Sequence, residues 1–435
     1  MTDPVDLSLH ESARVLRDVL GPMVAQGAIV RRPSVTAWAE RRQVDARARR
    51  TLGALRAEHD GAPLCLRLGP RRLVLVTEPQ DVQRLLQESP VPFSAASWEK
   101  KGALSHFQPD GVLISAPAER VRKRPFNEVV LDMQEPVHAA GEWFTAVVAR
   151  EVEELAGVAR AQGTLDWETF STAFWRVVRT VTLGEEARAD VHLTQVLNAL
   201  RRDGNWSSFR PRRGRLRHEL EQRLAHYVRS APSETLAGRA RESAEGVDPV
   251  GQIPHWLFAF DAAGIATFRA LAVLASRAPE RSRVLAELSD QGPASRVLPF
   301  TRAAVLESVR LWPTTLVILR ESTEVTRWGG RDLPAGTGFA VASSFFHRDH
   351  DRLASADGFA PGSWLDGTAD ADWALVPFSG GPVSCPGRNL VLLVASQTLA
   401  RVARELDLHL PRGRFLAHDP LPMTVDHAGI ELLVL

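Results

Sequence analysis

The stretch Pro377-Phe-Ser-Gly-Gly-Pro-Val-Ser-Cys385-Pro-Gly-Arg388 carries the densest chemistry in this 435-residue chain. Its glycines let the backbone approach a partner closely. An apolar helix is predicted directly after it, over Asn389–Arg401. Pro386 suits the first helical turn, where a missing N–H costs nothing. A helix amino terminus lowers a thiol's pKa and directs backbone N–H groups at sulfur. The pattern therefore presents a Cys385 thiolate at the end of a rigid loop. The same composition also fits a structural cysteine buried in a turn.

The chain's other cysteine, Cys65, is far away in sequence, so a count of 2 excludes a disulfide framework and an all-cysteine zinc site. Unpaired thiols suit a reducing compartment. The amino terminus has early acids and no basic-then-apolar run, so no signal peptide is expected and the cytoplasm is the expected location. With 53 Lys+Arg against 52 Asp+Glu, the balance is too even for a general nucleic-acid binder, and no such partner is expected. A 44% hydrophobic and 24% charged composition is that of an ordinary globular protein. One segment, 253–276, imitates a membrane span. It carries Asp261 and Arg269 near its middle, each costing about 2.5–3.5 kcal/mol at a bilayer centre. A buried helix of roughly 35 Å is expected there, and no membrane.

Upstream, Pro63–Pro70 and Arg71–Thr77 read as a β-hairpin across a Gly-Pro turn. A helix is predicted over Pro79–Glu88. The segment Pro90–Ser115 has no sustained period and reads as a long functional loop. Helical spacing then dominates, over Ala118–Val130, Pro136–Ala161, Trp167–Leu183, Leu193–Arg202, Gly214–Ser230, Pro254–Ser276, Pro279–Ser289 and Val297–Leu311. Strand-like runs return at Glu321–Val341, Leu406–Leu410 and Ile430–Leu435. The expected fold class is α+β. We expect one domain over 1–435, with β-rich portions near 63–78, 321–341 and 406–435 and a helical lobe near 79–311 and 388–404.

Phe378, Gly381, Cys385 and Gly387 resemble the Phe-x-x-Gly-x-x-x-Cys-x-Gly heme loop of the cytochrome P450 superfamily. Upstream, Glu307-Ser-Val-Arg310, followed by Leu-Trp-Pro313, resembles that family's Glu-x-x-Arg helix. The order of a central helix, then Glu-x-x-Arg, then the Cys loop agrees as well. The resemblance covers essentially the whole chain. It implies a mainly helical cytochrome P450 fold with a small β-rich lobe, heme b (iron protoporphyrin IX) as cofactor, and Cys385 as the axial ligand of the heme iron. A thiolate ligand pushes electron density onto the iron and favours O–O cleavage. Glu307 and Arg310 share a helix face and are implied to be a structural pair.

Three departures from the family pattern stand out. The Phe-x-Pro-x-Arg segment reads Phe359-Ala-Pro361-Gly-Ser363, so Ser363 replaces the arginine. Val383 stands where a cation usually contacts a heme propionate. Buried carboxylates need partners, and Arg124, Arg320 and Arg120 match family positions for that role. The central helix reads Ala263-Gly264-Ile265-Ala266-Thr267. The family's proton-routing alcohol is present and its acid is gone. Thr267 either holds a water, by bonding back to the preceding turn, or simply packs. Asp261 either pairs structurally with Arg269 or supplies protons through water. Thr267, Gly264 and Asp261 are the catalytic candidates.

Phe260, Ala263, Thr315, Leu316 and Val317 are the implied substrate pocket, with Trp98–Phe107, Trp206 and Phe209 as further aromatic candidates. His347-Arg-Asp349-His350 offers two histidines and a carboxylate to a metal, but it also matches a short helix-turn of the family. No phosphate loop or dinucleotide fingerprint is visible, so the chain is not expected to carry its own reductase; the resemblance implies electrons from a separate ferredoxin and ferredoxin reductase. The implied activity is a heme-thiolate monooxygenase acting on a hydrophobic small molecule. The alternatives are a peroxide-driven or non-oxygenating heme-thiolate enzyme, and a heme-binding module without turnover.

Overall fold

A computed structural model describes residues 2–290, 297–411 and 416–435. The chain forms two compact units. The first takes Met1–Leu104, Val309–Cys385 and Pro422–Asp426; the second takes Ser105–Ser308, Pro386–Leu421 and His427–Leu435.

The first unit is built on a six-stranded sheet in the order Val5–Asp6, Leu64–Leu68, Arg71–Leu75, Gly338–Ala342, Val317–Ser322, Phe93–Ser94. The expected hairpin forms, with Leu64 opposite Leu75 and Leu68 opposite Arg71. Gly69 takes φ +62° at its turn, a conformation that favours glycine. The β-branched and aromatic residues pack one face of the sheet. Trp328 stacks on Phe339 at 5.1 Å, Phe93 meets Phe339 edge-on at 5.2 Å, and Arg84 covers Trp328 at 4.5 Å. Cys65 is buried in this core, and burial pushes its thiol pKa up.

The second unit packs four long helices together: Gly141–Gln162, Trp167–Leu183, Ile253–Leu274 and Arg388–Glu405. The central helix, Ile253–Leu274, is apolar nearly all round and buried along most of its length, as expected of a helix through a core. Trp256 Nε1 donates to Asn127 Oδ1 at 2.8 Å, and Asn127 Nδ2 donates to Gln252 Oε1 at 3.2 Å. The start of the helix is thus fixed by polar bonds in an apolar setting. A three-stranded sheet in the order Leu408–His409, Glu431–Val434, Thr164–Asp166 closes this unit. Of the expected strand-rich tail, residues 412–415 lie outside the described residues.

The expected helices form, with shifted ends. The one expected from Pro136 begins at Gly141, because His138 organises a turn there, its Nε2 against the Val130 carbonyl and its Nδ1 accepting from Ala140 N. The first strand of the Glu321 region starts earlier, at Val317. The segment expected to be a long loop, Pro90–Ser115, contains a helix at Trp98–Leu104 and a short strand, Phe93 pairing with Ser322. That strand is two residues long and is defined by a partner 229 positions away, so no local period announces it.

Candidate active site

The Cys loop owes its shape to backbone bonds within the first unit. Cys385 N donates to the Phe378 carbonyl and Ser384 N to the Gly381 carbonyl, both at 3.0 Å. Gly381 has φ +66°, and a Cβ there would lie 2.1 Å from the Leu86 carbonyl oxygen of the helix Pro79–Gln87. Only glycine fits. Ser379 is also held at positive φ, +61°. Cys385 itself is partly exposed, whereas Cys65 is buried. The following helix starts at Arg388 with Gly387 as its cap. Pro386 therefore lies in the turn before the helix and not in its first turn, which corrects the sequence expectation. The bond from Cys385 N to the Phe378 carbonyl fixes the Cys385 backbone from within the loop.

Arg320 is 2% exposed and donates to Ser89 Oγ (2.9 Å), the Leu319 carbonyl (3.0 Å) and Ser379 Oγ (3.1 Å). It ties the strained serine of the loop to the strand Val317–Ser322. On the helix Pro117–Val130 of the second unit, Arg124 pairs with Glu128 at 2.5 Å. Arg120 donates to the Val112 carbonyl at 3.1 Å. Burial, and then the neighbouring Arg124 charge, push the Arg120 pKa down. Two crowded, half-buried cations form a setting that an anionic group would relieve. Within the first unit, the partly exposed Cys385 on a loop with no room for a side chain at Gly381 fits the donor that a heme iron takes; within the second, Arg120 and Arg124 fit partners for a propionate.

Glu307 and Arg310 are both buried on the helix Pro299–Leu311. Arg310 gathers four carbonyls, His347 (2.8 Å), Ser355 (3.0 Å), Ala356 (3.1 Å) and Gly358 (2.8 Å). Ser363, in the place of the family's arginine, bonds only its local turn at the Ala360 carbonyl. Arg310 thereby holds the segment 355–358, where Arg348 also bonds Asp357 at 2.5 Å. The His347–His350 run is likewise engaged. His347 Nε2 accepts from Val376 N at 3.3 Å, Asp349 pairs with Arg56 at 2.6 Å, and His350 sits 2.7 Å from Asp357. These contacts match the structural helix-turn and leave the metal reading without a ligand cluster.

On the central helix, the Thr267 hydroxyl donates to the Ala263 carbonyl at 2.8 Å and is fully buried. A Cβ at Gly264 would lie 2.9 Å from the Phe174 ring, so packing already demands that glycine. Asp261 pairs with Arg201 at 2.6 Å, not with Arg269. Arg201 also donates to Asn198 Oδ1 at 2.8 Å and lies 5.0 Å over the Phe258 ring. Its place on another helix, Val191–Gly204, hid this pairing from sequence spacing. Phe260 is 1% and Ala263 4% exposed, on the packed side of the helix. The partly exposed stripe is instead His255, Phe258, Ala259 and Ala262, which recurs at helical spacing. In the first unit, Leu316 and Val317 are half-buried and Thr315 is exposed. Trp206 and Phe209 are exposed at 46% and 83%, so these two do not line an interior wall.

The cytochrome P450 family model matches residues 283–427, which include the Glu-x-x-Arg helix and the Cys loop. The fold is similar to that of a retinoic-acid-bound cyanobacterial CYP120A1, with TM-score 0.72 and 18% identity over 88% of this chain and 93% of that one. It is also similar to CYP175A1 of Thermus thermophillus, with TM-score 0.68 and 18% identity over the full length of both. The chain is thus similar to cytochrome P450s, in sequence over that segment and in fold over most of its length. Among curated relatives, a cyclooctat-9-en-7-ol 5-monooxygenase of Streptomyces melanosporofaciens is 28% identical over 55% of this chain and 53% of its own length. A 3-beta-hydroxylase of Tanacetum parthenium is 34% identical over 31% of this chain and 27% of its own. These alignments thus span about half or less of the length of those relatives. Sequence reasoning missed Arg201, Leu86 and Phe174, which act across the fold where no motif points, and the role of Ser379, inside the quoted loop, as a partner of Arg320.

Proposed function

We propose that this chain is a cytochrome P450, a heme-thiolate monooxygenase, and that residues 1–435 make up a single cytochrome P450 domain. The observation that carries the reading is the partly exposed Cys385 on a loop where Gly381 has no room for a side chain. Cys385 would supply the thiolate to the iron of heme b, with Phe378, Gly381 and Gly387 shaping the loop. Arg124, Arg320 and Arg120 would hold the propionates. When bound, the heme supplies dioxygen reduction: two electrons and two protons enter, one oxygen atom goes into a C–H or C=C bond, and the other leaves as water.

Thr267 holds a proton at Oγ1 that is bonded to the Ala263 carbonyl, and Gly264 keeps that turn close to Phe174. With alanine at 266, the family's acid cannot relay protons. Asp261 is the nearest carboxylate along the helix, and its pairing with Arg201 favours a positioning role over proton supply. On the central helix the stripe His255–Phe258–Ala259–Ala262 would face an apolar substrate in place of Phe260 and Ala263; in the first unit the candidates are Leu316, Val317 and Thr315. Electrons would come from a ferredoxin and its reductase docking near Arg122, Lys123, Arg388 and Arg401. A second reading, a peroxide-driven enzyme, is favoured by Ala266 alone.

The test is the ferrous–CO spectrum. The purified protein should show the strongly red-shifted Soret band of a thiolate ligand. Cys385→Ala should lose it completely and Cys65→Ala should keep it. A band that depends on Cys65 would overturn the assignment.

A further inference from the structure

Glu11, Glu58 and His59 take no part in the proposed heme site, yet one ligand atom from each lies within 4.8 Å of the other two. All three belong to the first unit. Glu11 sits on the short helix Leu9–Val15; Glu58 is the last residue of the helix Val44–Glu58, and His59 is that helix's cap. A capping box sets the direction of Glu11, whose Oε2 accepts from Ser8 N at 2.8 Å and from Ser8 Oγ at 2.6 Å. Its Oε1 is thereby turned toward His59 Nε2, 2.7 Å away. The Glu58 side chain is 46% exposed and pairs loosely with Arg14, Nη1 to Oε2 at 3.5 Å. An imidazole Nε2 carries at most one proton, so it can bond one of the two carboxylates. The other brings a like charge to the same place, offset by that loose pair.

We propose that Glu11, Glu58 and His59 form a binding site for a divalent transition-metal ion, zinc by preference, that clasps the helix Leu9–Val15 to the end of the helix Val44–Glu58. An imidazole nitrogen suits zinc, whereas a set of oxygens alone would suit magnesium or calcium. Three protein ligands and one water complete a four-coordinate shell. Ligands about 2.0–2.2 Å from a tetrahedral ion stand roughly 3.4 Å from one another. The 2.7 Å contact and the 4.8 Å limit lie on either side of that separation. The Ser8 bonds give Glu11 the outer support that metal-bound carboxylates have, and the exposed Glu58 supplies the adjustment. Two carboxylates and a neutral imidazole also balance the ion's double charge. The site does not depend on the heme reading, which uses none of these residues.

Isothermal titration of the full-length protein, as purified, with zinc chloride tests this. One zinc per chain should bind saturably, and the melting temperature should rise with zinc concentration, because the ion binds the folded state. Glu11→Gln preserves the capping box and should lower zinc affinity by roughly tenfold or more, as should His59→Gln. Glu58→Gln, on an exposed side chain, should do the same without touching the packing. Arg14→Gln removes a neighbouring cation and should tighten binding. His350→Gln, at a histidine paired with Asp357 elsewhere on the surface, should leave affinity unchanged. Unchanged melts in metal-free buffer show that the variants are folded. Absence of saturable zinc binding by the wild type overturns the proposal. Wild-type affinity in both Glu11→Gln and Glu58→Gln overturns it as well, by marking the ion as adventitious.

Discussion

The Cys loop and the central helix carry the two halves of the proposed chemistry, and they diverge from the family pattern to different degrees. In the loop, Phe378, Gly381, Cys385 and Gly387 are all in place; the departure there, Val383, is a side-chain contact. In the helix, Gly264 and Thr267 remain while the acid is replaced by Ala266. Gly381 meets a backbone carbonyl that cannot yield, so no other residue serves. A proton can reach a site through water, a hydroxyl or the substrate itself, so a relay carboxylate is replaceable. Conformational demands bind a sequence more tightly than proton transfer does.

The largest effect that would break this comparison is in the loop. Gly381→Ala combines positive φ with a clash on the Leu86 carbonyl and should reduce heme occupancy by roughly tenfold or more. Gly380→Ala, at φ −155° and facing the Trp373 ring, should cost far less. Equal heme contents in the two variants would show that the loop is no more constrained than the helix.

A smaller effect is expected in the helix. Thr267→Ala should keep the CO spectrum and divert electrons to peroxide, lowering product per NAD(P)H several-fold. Asp261→Asn should leave that coupling within about twofold and lower the melting temperature instead, because it leaves the buried Arg201 without its carboxylate. If Asp261→Asn abolishes oxygenation with heme and substrate binding intact, Asp261 is the surrogate acid, and the helix is as constrained as the loop.

The smallest effect concerns the support of the loop. Burial, and then the Arg310 charge, push the His347 pKa down to about 3, so the folded protein keeps it neutral as acceptor for Val376 N. An unfolded histidine titrates near 6.5. The unfolded state therefore binds the extra proton first. Stability from this group is fully present above about pH 6.5 and declines as the pH falls toward 3. His347→Gln should flatten the acid side of a plot of urea midpoint against pH. An unchanged slope would mean that His347 does not couple to folding.

The chain by itself determined the fold class, the order of the long helices, the hairpin Leu64–Leu75 and the loop that presents Cys385. Those features rest on local rules: helical period, alternation, turn glycines and a dense motif. Only the tertiary structure decided the partner of Asp261, the stripe of the central helix left partly exposed, and the clasp of carbonyls around Arg310. It also placed the helix start at Arg388, past Pro386, and set Trp206 and Phe209 on the surface. The reason is physical. Spacing along one helix fixes which residues share a face, but burial and pairing depend on what another segment brings against that face. Arg201 is 60 residues from Asp261, and no property of either residue alone selects the other.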